Sequence, residues 1–140
     1  MKLEASTMID RPVATVWDWY AVHHVENHPR WDPAIELENP TDGPLGVGTV
    51  LKRRSTRFET PTDGTMEIVE FEPEKSMRAK IQDGPWTIDG WALFAAPSET
   101  ETKLFIGGEF PGIDDSTAEM MREGIEQAAA TIKSLIESET

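Results

Sequence analysis

The amino-acid sequence predicts an α+β fold in which an antiparallel sheet of short strands is followed by one long helix. Between residues 34 and 110, stretches of alternating apolar and polar residues are separated by turn-forming residues at hairpin intervals, which is typical of a meander. From residue 114 to residue 140, apolar residues recur with helical spacing. The chain has 140 residues, the size of one ordinary domain, so we expect a single domain over residues 1–140.

The first part of the chain is predicted to hold one strand and two short helices. The strand covers residues 2–10. The first helix follows it, with Asp10 placed to cap the helix and Pro12 suited to its first turn. A second short helical piece is predicted over residues 23–28. It should end at Pro29, because the residue before a proline avoids the helical region.

Six more strands are predicted before the long helix. Turn signals, "PTDG" at 61–64 and "DGP" at 83–85, mark two of the hairpins. In the helix, Ser116 and Glu119 form a capping-box pattern, and an apolar stripe follows one face. The strands are predicted over residues 34–39, 49–60, 65–73, 75–82, 86–96 and 102–110, and the stripe comprises Ala118, Met121, Ile125, Ala128, Ile132 and Leu135.

The composition excludes several classes of function. The net charge is −13, with 26 acidic and 13 basic residues, so nucleic acid and anionic membrane surfaces are unfavourable partners. The absence of cysteine excludes disulfides, a thiol nucleophile and thiolate metal sites. No stretch approaches the ~20 apolar residues of a membrane span, and the N-terminus lacks the apolar run of a signal peptide. We therefore expect a soluble, cytoplasmic protein.

Five stretches of the chain resemble the polyketide cyclase/dehydrase-like branch of the START superfamily, also called SRPBCC. They are "STMIDRPVATVWDWY" at 6–20, "HPRWDPAIEL" at 28–37, "GPLGVGTVLK" at 43–52, "VEFEPEKSM" at 69–77 and "GPWTIDGWALF" at 84–94. The resemblance implies a helix-grip fold, in which a seven-stranded antiparallel sheet wraps around the C-terminal helix and encloses an apolar cavity. It implies binding of a hydrophobic or aromatic small molecule there. The alternative is a polyketide cyclase/dehydrase-type or hydrolytic enzyme that uses an acid or base in the cavity.

The same resemblance suggests which side chains line the cavity. Matching "IDGWALF" to the family pattern turns Gly90 and Phe94 inward, and small residues on the sheet and on the helix should leave open volume. Larger neighbours that fill this volume are the alternative. The predicted ligand-binding residues are Arg54, Trp86, Gly90, Phe94, Ile106, Gly108, Phe110, Met121, Ile125 and Ala128.

The match also turns Trp91, Leu93 and Phe105 outward, where they would form an apolar patch. Monomers rarely leave such patches bare, so a homodimer through this face is a hypothesis.

Candidate proton carriers are Tyr20, His24, His28 and Glu67. The two histidines are four residues apart and could share a helix face, either in the cavity or in solvent; a zinc site would need a third ligand. No cofactor fingerprint is present, so neither a cofactor nor a metal is predicted.

Two further residues have alternative interpretations. An inward Arg54 would bind a carboxylate or enolate of a ligand, whereas an outward one would pair with glutamates across the strands. Trp31, between Pro-Arg and Asp-Pro pairs, is predicted to anchor a bend, with a wall of the site as the alternative.

Overall fold

The computed structural model describes residues 1–140 and has seven strands and three α-helices. The strands form one antiparallel sheet in the order β1-β7-β6-β5-β4-β3-β2. The elements are β1 (Lys2–Ile9), α1 (Val13–Trp17), a π-helical turn (Asp18–Val22), α2 (His24–Trp31), β2 (Ile35–Glu38), β3 (Val50–Ser55), β4 (Thr62–Glu72), β5 (Ser76–Asp83), β6 (Trp86–Ala95), β7 (Thr102–Glu109) and α3 (Asp115–Glu139). This architecture confirms the predicted α+β class and the helix-grip fold.

The core forms where one face of the sheet meets the helices. Along each strand successive side chains point to opposite faces, so a regular alternation buries every second residue. On β3, for example, Leu51, Arg53 and Ser55 are buried and the residues between them are exposed. Trp17 from α1 packs edge-on against the rings of Phe71 and Phe94 at 4.9 and 5.1 Å.

The boundaries of two helices differ from the predictions. Helix α2 continues through Pro29 to Trp31, and the N–H of Asp32 donates to the carbonyl of His28 at 3.1 Å. The helix continues because a proline removes only one of its backbone hydrogen bonds, while the ring of Trp31 packs back against α2. Helix α1 begins after Pro12 with no side-chain cap, because the N-cap position is Pro12 and not Asp10. The backbone N–H of Asp10 donates to Glu137 at 2.8 Å.

Two other local predictions, the cap of α3 and the turn at "PTDG", were also wrong. Asp114, not Ser116, caps α3, since its carboxylate accepts the N–H of Thr117 at 2.7 Å. The "PTDG" stretch was predicted to be a turn, but β4 already begins at Thr62 and includes Gly64. The hairpin loop between β3 and β4 is therefore residues 56–61.

Candidate functional site

A cavity of about 670 Å³ lies between the sheet and the helices α2 and α3. This volume is within the range of small-molecule binding sites. Phe58, Trp86 and Met120 line the cavity and are also 49%, 39% and 52% exposed. These three residues mark an apolar mouth that is open to solvent.

The inner surface of the cavity is apolar because the strands present matching small and branched residues there. Met66 pairs with Ile81, which pairs with Ile88, so one cross-strand row is aliphatic. In the next row Ala79 lies opposite Gly90. A Cβ added to Gly90 would be 3.2 Å from the terminal methyl of Ile81, so the lack of a side chain at Gly90 lets the Ile81 methyl lie over the strand.

A charged pair lies nearer the mouth, in a row across β3, β4 and β5. Arg53 is opposite Gly64, and Gly64 is opposite Asp83. Arg53 reaches over the glycine, and its Nε donates to Oδ1 of Asp83 at 2.8 Å. A Cβ on Gly64 would be 1.6 Å from the carbonyl oxygen of Gln82, so no other residue fits between the two charges without moving the backbone.

The two histidines of α2 form a chain of hydrogen bonds that starts at the π-helical turn. His24 Nδ1 is 3.1 Å from the carbonyl oxygen of Tyr20, and His28 Nδ1 is 2.9 Å from His24 Nε2. A carbonyl only accepts, so His24 Nδ1 must carry the proton, and in a neutral ring its Nε2 then accepts from His28. His28 therefore keeps its own lone pair on Nε2, which has no partner in the protein.

The surroundings keep both histidines neutral at neutral pH. Burial lowers the pKa of His24 to about 4. Burial lowers the pKa of His28 well below its ordinary value, and the charges of Arg53 and Arg57 act in the same direction. Burial raises the pKa of Tyr20, so its phenol stays protonated. The cavity thus contains a neutral base at His28 and a neutral hydroxyl at Tyr20.

Trp31 is both an anchor and a wall of this cavity. Its ring is stacked between those of His28 and Tyr20, at 5.0 Å from each, with interplanar angles of 11° and 15°. The ring is half-buried and lines the cavity. The predicted anchor and its alternative, a wall of the site, therefore both apply, and the residue that ends the helix also stacks on His28.

The structure places most of the predicted site residues around the cavity. Phe94 does not line it but packs in the aromatic core against Trp17 and Tyr20. Gly108 lies behind Phe110, whose ring would be 3.1 Å from a Cβ at that glycine. The predicted residues that line the cavity are Tyr20, His24, His28, Trp86, Gly90, Ile106, Phe110, Met121, Ile125 and Ala128.

Two predicted residues lie on the outer face of the sheet instead. Arg54 is exposed and pairs with Asp63 at 3.1 Å, since the burial of Leu51 and Arg53 on β3 turns Arg54 away from the cavity. Glu67 is exposed for the same reason on β4, where Met66 and Ile68 point inward. The predictions of an inward Arg54 and of Glu67 as a cavity acid are corrected by this alternation.

Sequence reasoning missed Arg53 and Asp83. Arg53 was missed because its neighbour Arg54 is also an arginine, and the sequence did not show which of the two points inward. Asp83 was missed because it was assigned to a turn. The signal that could have found Arg53 is the apolar residue two positions earlier, Leu51, which marks the buried face of β3.

The outer patch is only half-exposed. The ring of Trp91 has the ammonium of Lys2 at 5.5 Å and the guanidinium of Arg78 at 5.7 Å, and its Nε1 donates to Glu4 at 2.8 Å. Lys103 covers Phe105 in the same way at 5.2 Å. Charged side chains therefore cover part of the patch, and the homodimer stays a prediction.

Two further properties bear on the kind of site. The structure brings no group of three or more His, Asp or Glu side chains into an arrangement that could hold a metal ion. None of the helices combines the length and the apolar character that crossing a bilayer requires.

Sequence comparison assigns the chain to a family. Residues 1–137 match the profile of the family described as polyketide cyclase / dehydrase and lipid transport. The chain belongs to this family, and the predicted relationship to START-like polyketide cyclases is confirmed. None of the curated proteins matches the chain.

Solved structures show the same fold at low sequence identity. A START superfamily protein from Mycobacterium smegmatis superposes with a TM-score of 0.79 at 13% identity, covering 99% of each chain. The Zhui aromatase/cyclase from a Streptomyces species gives 0.68 at 14% identity, covering 98% of this chain and 93% of that one. Norcoclaurine synthase from Thalictrum flavum, in complex with dopamine and hydroxybenzaldehyde, gives 0.68 at 11% identity, covering 100% and 88%. At these identities the similarity establishes the fold alone.

Proposed function

We propose that the protein binds a hydrophobic or aromatic small molecule in the cavity between the sheet and α3. The observation that supports this most directly is an apolar cavity of about 670 Å³ that the protein leaves unfilled. A well-packed interior has few voids larger than a water molecule, so a volume of this size inside a stable domain indicates a binding site. Phe58, Trp86 and Met120 form an apolar mouth, so a hydrophobic molecule can enter the cavity along an apolar surface.

The first test is native mass spectrometry of the purified protein, followed by denaturation and identification of any released molecule. A matched pair of variants on α3 makes the test specific. Ala128 lines the cavity and Ala130 is exposed on the same helix. Ala128→Phe should fill the cavity and abolish retention of an apolar molecule, whereas Ala130→Phe should leave it unchanged. Equal retention by both variants, or an empty wild-type protein that also fails to bind added aromatic compounds, would contradict the proposal.

A second candidate function is an enzyme of the cyclase or dehydrase type, and the histidine pair favours it. His28 presents a lone pair in the cavity, and its proton-bearing nitrogen is held by His24. Such a base could take a proton from a carbon next to a ketone, with the electron pair of the C–H bond moving onto the ketone oxygen. The description of the family, polyketide cyclase / dehydrase and lipid transport, includes chemistry of this kind but identifies no substrate.

Exchange of the methyl protons of 2-acetylnaphthalene in D₂O, followed by NMR, tests this second candidate. The protein should accelerate the exchange, and His28→Phe should remove the acceleration while keeping an aromatic ring against Trp31. His23→Phe is the control, since His23 is exposed on the same segment. Exchange at the uncatalysed rate in the wild-type protein, with the ketone shown to be bound, would exclude this activity and leave the binding function.

A further inference from the structure

We infer that the ligand is an organic acid with an aromatic or aliphatic body, and that its anionic oxygen binds to the terminal nitrogens of Arg53. This inference rests on the proposed function, because it assigns the chemical class of the molecule in the same cavity. It begins with a group that the protein leaves without a partner. Nη1 of Arg53 is buried and forms no hydrogen bond.

An unpaired buried guanidinium nitrogen is costly in a folded protein, because its N–H groups have lost water and gained nothing. The Arg53 side chain is 8% exposed and lines the cavity. Its only hydrogen bond in the protein is the one from Nε to Asp83. Neither Nη1 nor Nη2, the part of the fork that binds carboxylates in pairs, has a partner in the protein, and Nη2, which is not closed off as Nη1 is, is the nitrogen that a ligand reaches first.

Asp83 positions Arg53 without occupying this binding edge. Its carboxylate accepts from Nε at 2.8 Å, at the side of the guanidinium nearest the strand. Gly64 lies between the two residues and lets the arginine lie flat across the sheet. The pair thus holds the guanidinium in a fixed orientation, and little side-chain entropy remains to be lost when an anion binds.

Positive charge from Arg53 and Arg57 reaches the part of the cavity beside His28. The charges of Arg53 and Arg57 both act on His28, whose pKa is lowered partly for this reason. The other charged residues of the lining are engaged elsewhere: Asp32 pairs with Arg57, and Asp114 caps α3. Next to Arg53 the lining has an aliphatic row formed by Met66, Ile81 and Ile88. An acid group at Arg53 would thus place the body of the ligand against this aliphatic surface.

Binding of two matched probes, measured by the quenching of tryptophan fluorescence, tests the inference. The probes are 2-naphthoate, which is anionic near pH 7, and naphthalene-2-carboxamide, which has the same shape and no charge. The wild-type protein should bind the naphthoate about 10- to 100-fold more tightly than the carboxamide, the range expected of charge-assisted hydrogen bonds. In Arg53→Gln this preference should disappear through loss of naphthoate binding, while carboxamide binding is retained.

Arg54→Gln is the matched control, because Arg54 is the next residue, carries the same charge and lies on the outer face of the sheet. It should keep the preference of the wild-type protein. Should Arg53→Gln fail to fold, the double variant Arg53→Met/Asp83→Leu removes both charges together, which buried pairs tolerate better than the loss of one partner. The double variant should also bind both probes equally.

The outcomes separate this inference from the proposed function. Equal binding of the two probes by the wild-type protein, or a preference that persists without Arg53, overturns the inference and leaves the cavity intact as a binding site. Failure of both probes to bind overturns the proposed function for aromatic molecules and the inference together.

Discussion

The two halves of α3 carry the same apolar spacing but meet different surroundings. In the C-terminal half, Ala129, Ile132 and Ile136 are buried, the two isoleucines completely. In the N-terminal half, Met121 and Ile125 are only half-buried and face the cavity. The difference lies in what is opposite: β1 and the short helices close against one half, and small residues of the sheet face the other. The period of a helix thus indicates which face points inward, but not whether that face is packed.

Hydrogen bonds from other elements also hold the C-terminal half in place. Arg30 pairs with Glu139, which also accepts from Trp19 Nε1 at 3.0 Å. Lys133 donates to the carbonyl of Met8 at 2.6 Å, and Arg11 donates to that of Glu137 at 2.7 Å. The side-chain hydrogen bonds of the N-terminal half stay local, as between Arg122 and Glu119. One half supports the fold, and the other is free to accommodate a ligand.

The largest expected effect comes from truncating the packed half. Ile132→Ala should lower the free energy of unfolding by about 4 kcal/mol, because it removes buried methyl groups and leaves a void. Ile125→Ala should cost less than half as much, since its side chain already borders open space. Urea unfolding of both variants measures the difference, and equal losses would show that the two halves are packed alike.

Breaking the charged pair of the cavity should have the next largest effect. Asp83→Asn leaves Arg53 buried without a counter-charge and should cost about 3 kcal/mol of unfolding free energy. Asp63→Asn removes the partner of the exposed Arg54 and should cost less than about 1 kcal/mol. A small loss in Asp83→Asn would mean that solvent in the cavity compensates the arginine.

As the pH falls, acid should first destabilise the protein through the buried histidines of α2. The pKa of His24 is lowered from its ordinary 6.5 to about 4 by burial, so between these values the unfolded chain binds a proton that the folded chain does not. Stability is therefore complete above about pH 6.5 and falls as the pH drops toward 4, by about 3 kcal/mol from a shift of this size. Unfolding measured near pH 7 and near pH 4.5 should show this loss, and His24→Asn should reduce it.

The hydrogen bonds of Glu139, in the C-terminal half of α3, should be lost in a lower range of pH. Hydrogen bonds from Arg30 and Trp19 lower the pKa of Glu139 from 4.5 to about 2. Its contribution is present above its ordinary pKa and is lost as the pH falls from there toward 2. Glu139→Gln should match the wild-type pH dependence above pH 4.5 and show a flatter one below it. Near pH 6 the variant should be less stable by a constant amount, and a difference in the slope of stability against pH at that point would contradict this assignment.

Self-association through the outer patch is the smallest effect we expect. Trp91, Leu93 and Phe105 form the patch, and charged side chains already cover part of it. A dimer through this face should be weak and should dissociate in Phe105→Glu. Sedimentation equilibrium over a range of concentrations measures it, and a monomeric mass at the highest concentration would rule it out.

The sequence was sufficient to predict the fold and the histidines of the site but not its charged pair, Arg53 and Asp83. Alternation and turn residues place seven strands and a long helix because these patterns follow directly from backbone geometry. They cannot decide between Arg53 and Arg54, since a shift of one residue exchanges the faces of a strand. Likewise, the pairing of Arg53 with Asp83 depends on the register of three strands, with Gly64 between them. Only the assembled sheet brings these residues together.

The π-helical turn at Asp18–Val22 has a consequence for how this protein can change. Such a turn contains one residue more than an α-helix would need, and each residue of a helix corresponds to about 100° of rotation. Deleting one residue from this segment would rotate Tyr20 relative to His24 and His28 and separate the rings that enclose Trp31. A change in the length of this segment would therefore disrupt the site. In engineered or divergent versions of this chain, insertions and deletions belong in the exposed loop of residues 96–101, between β6 and β7, rather than here.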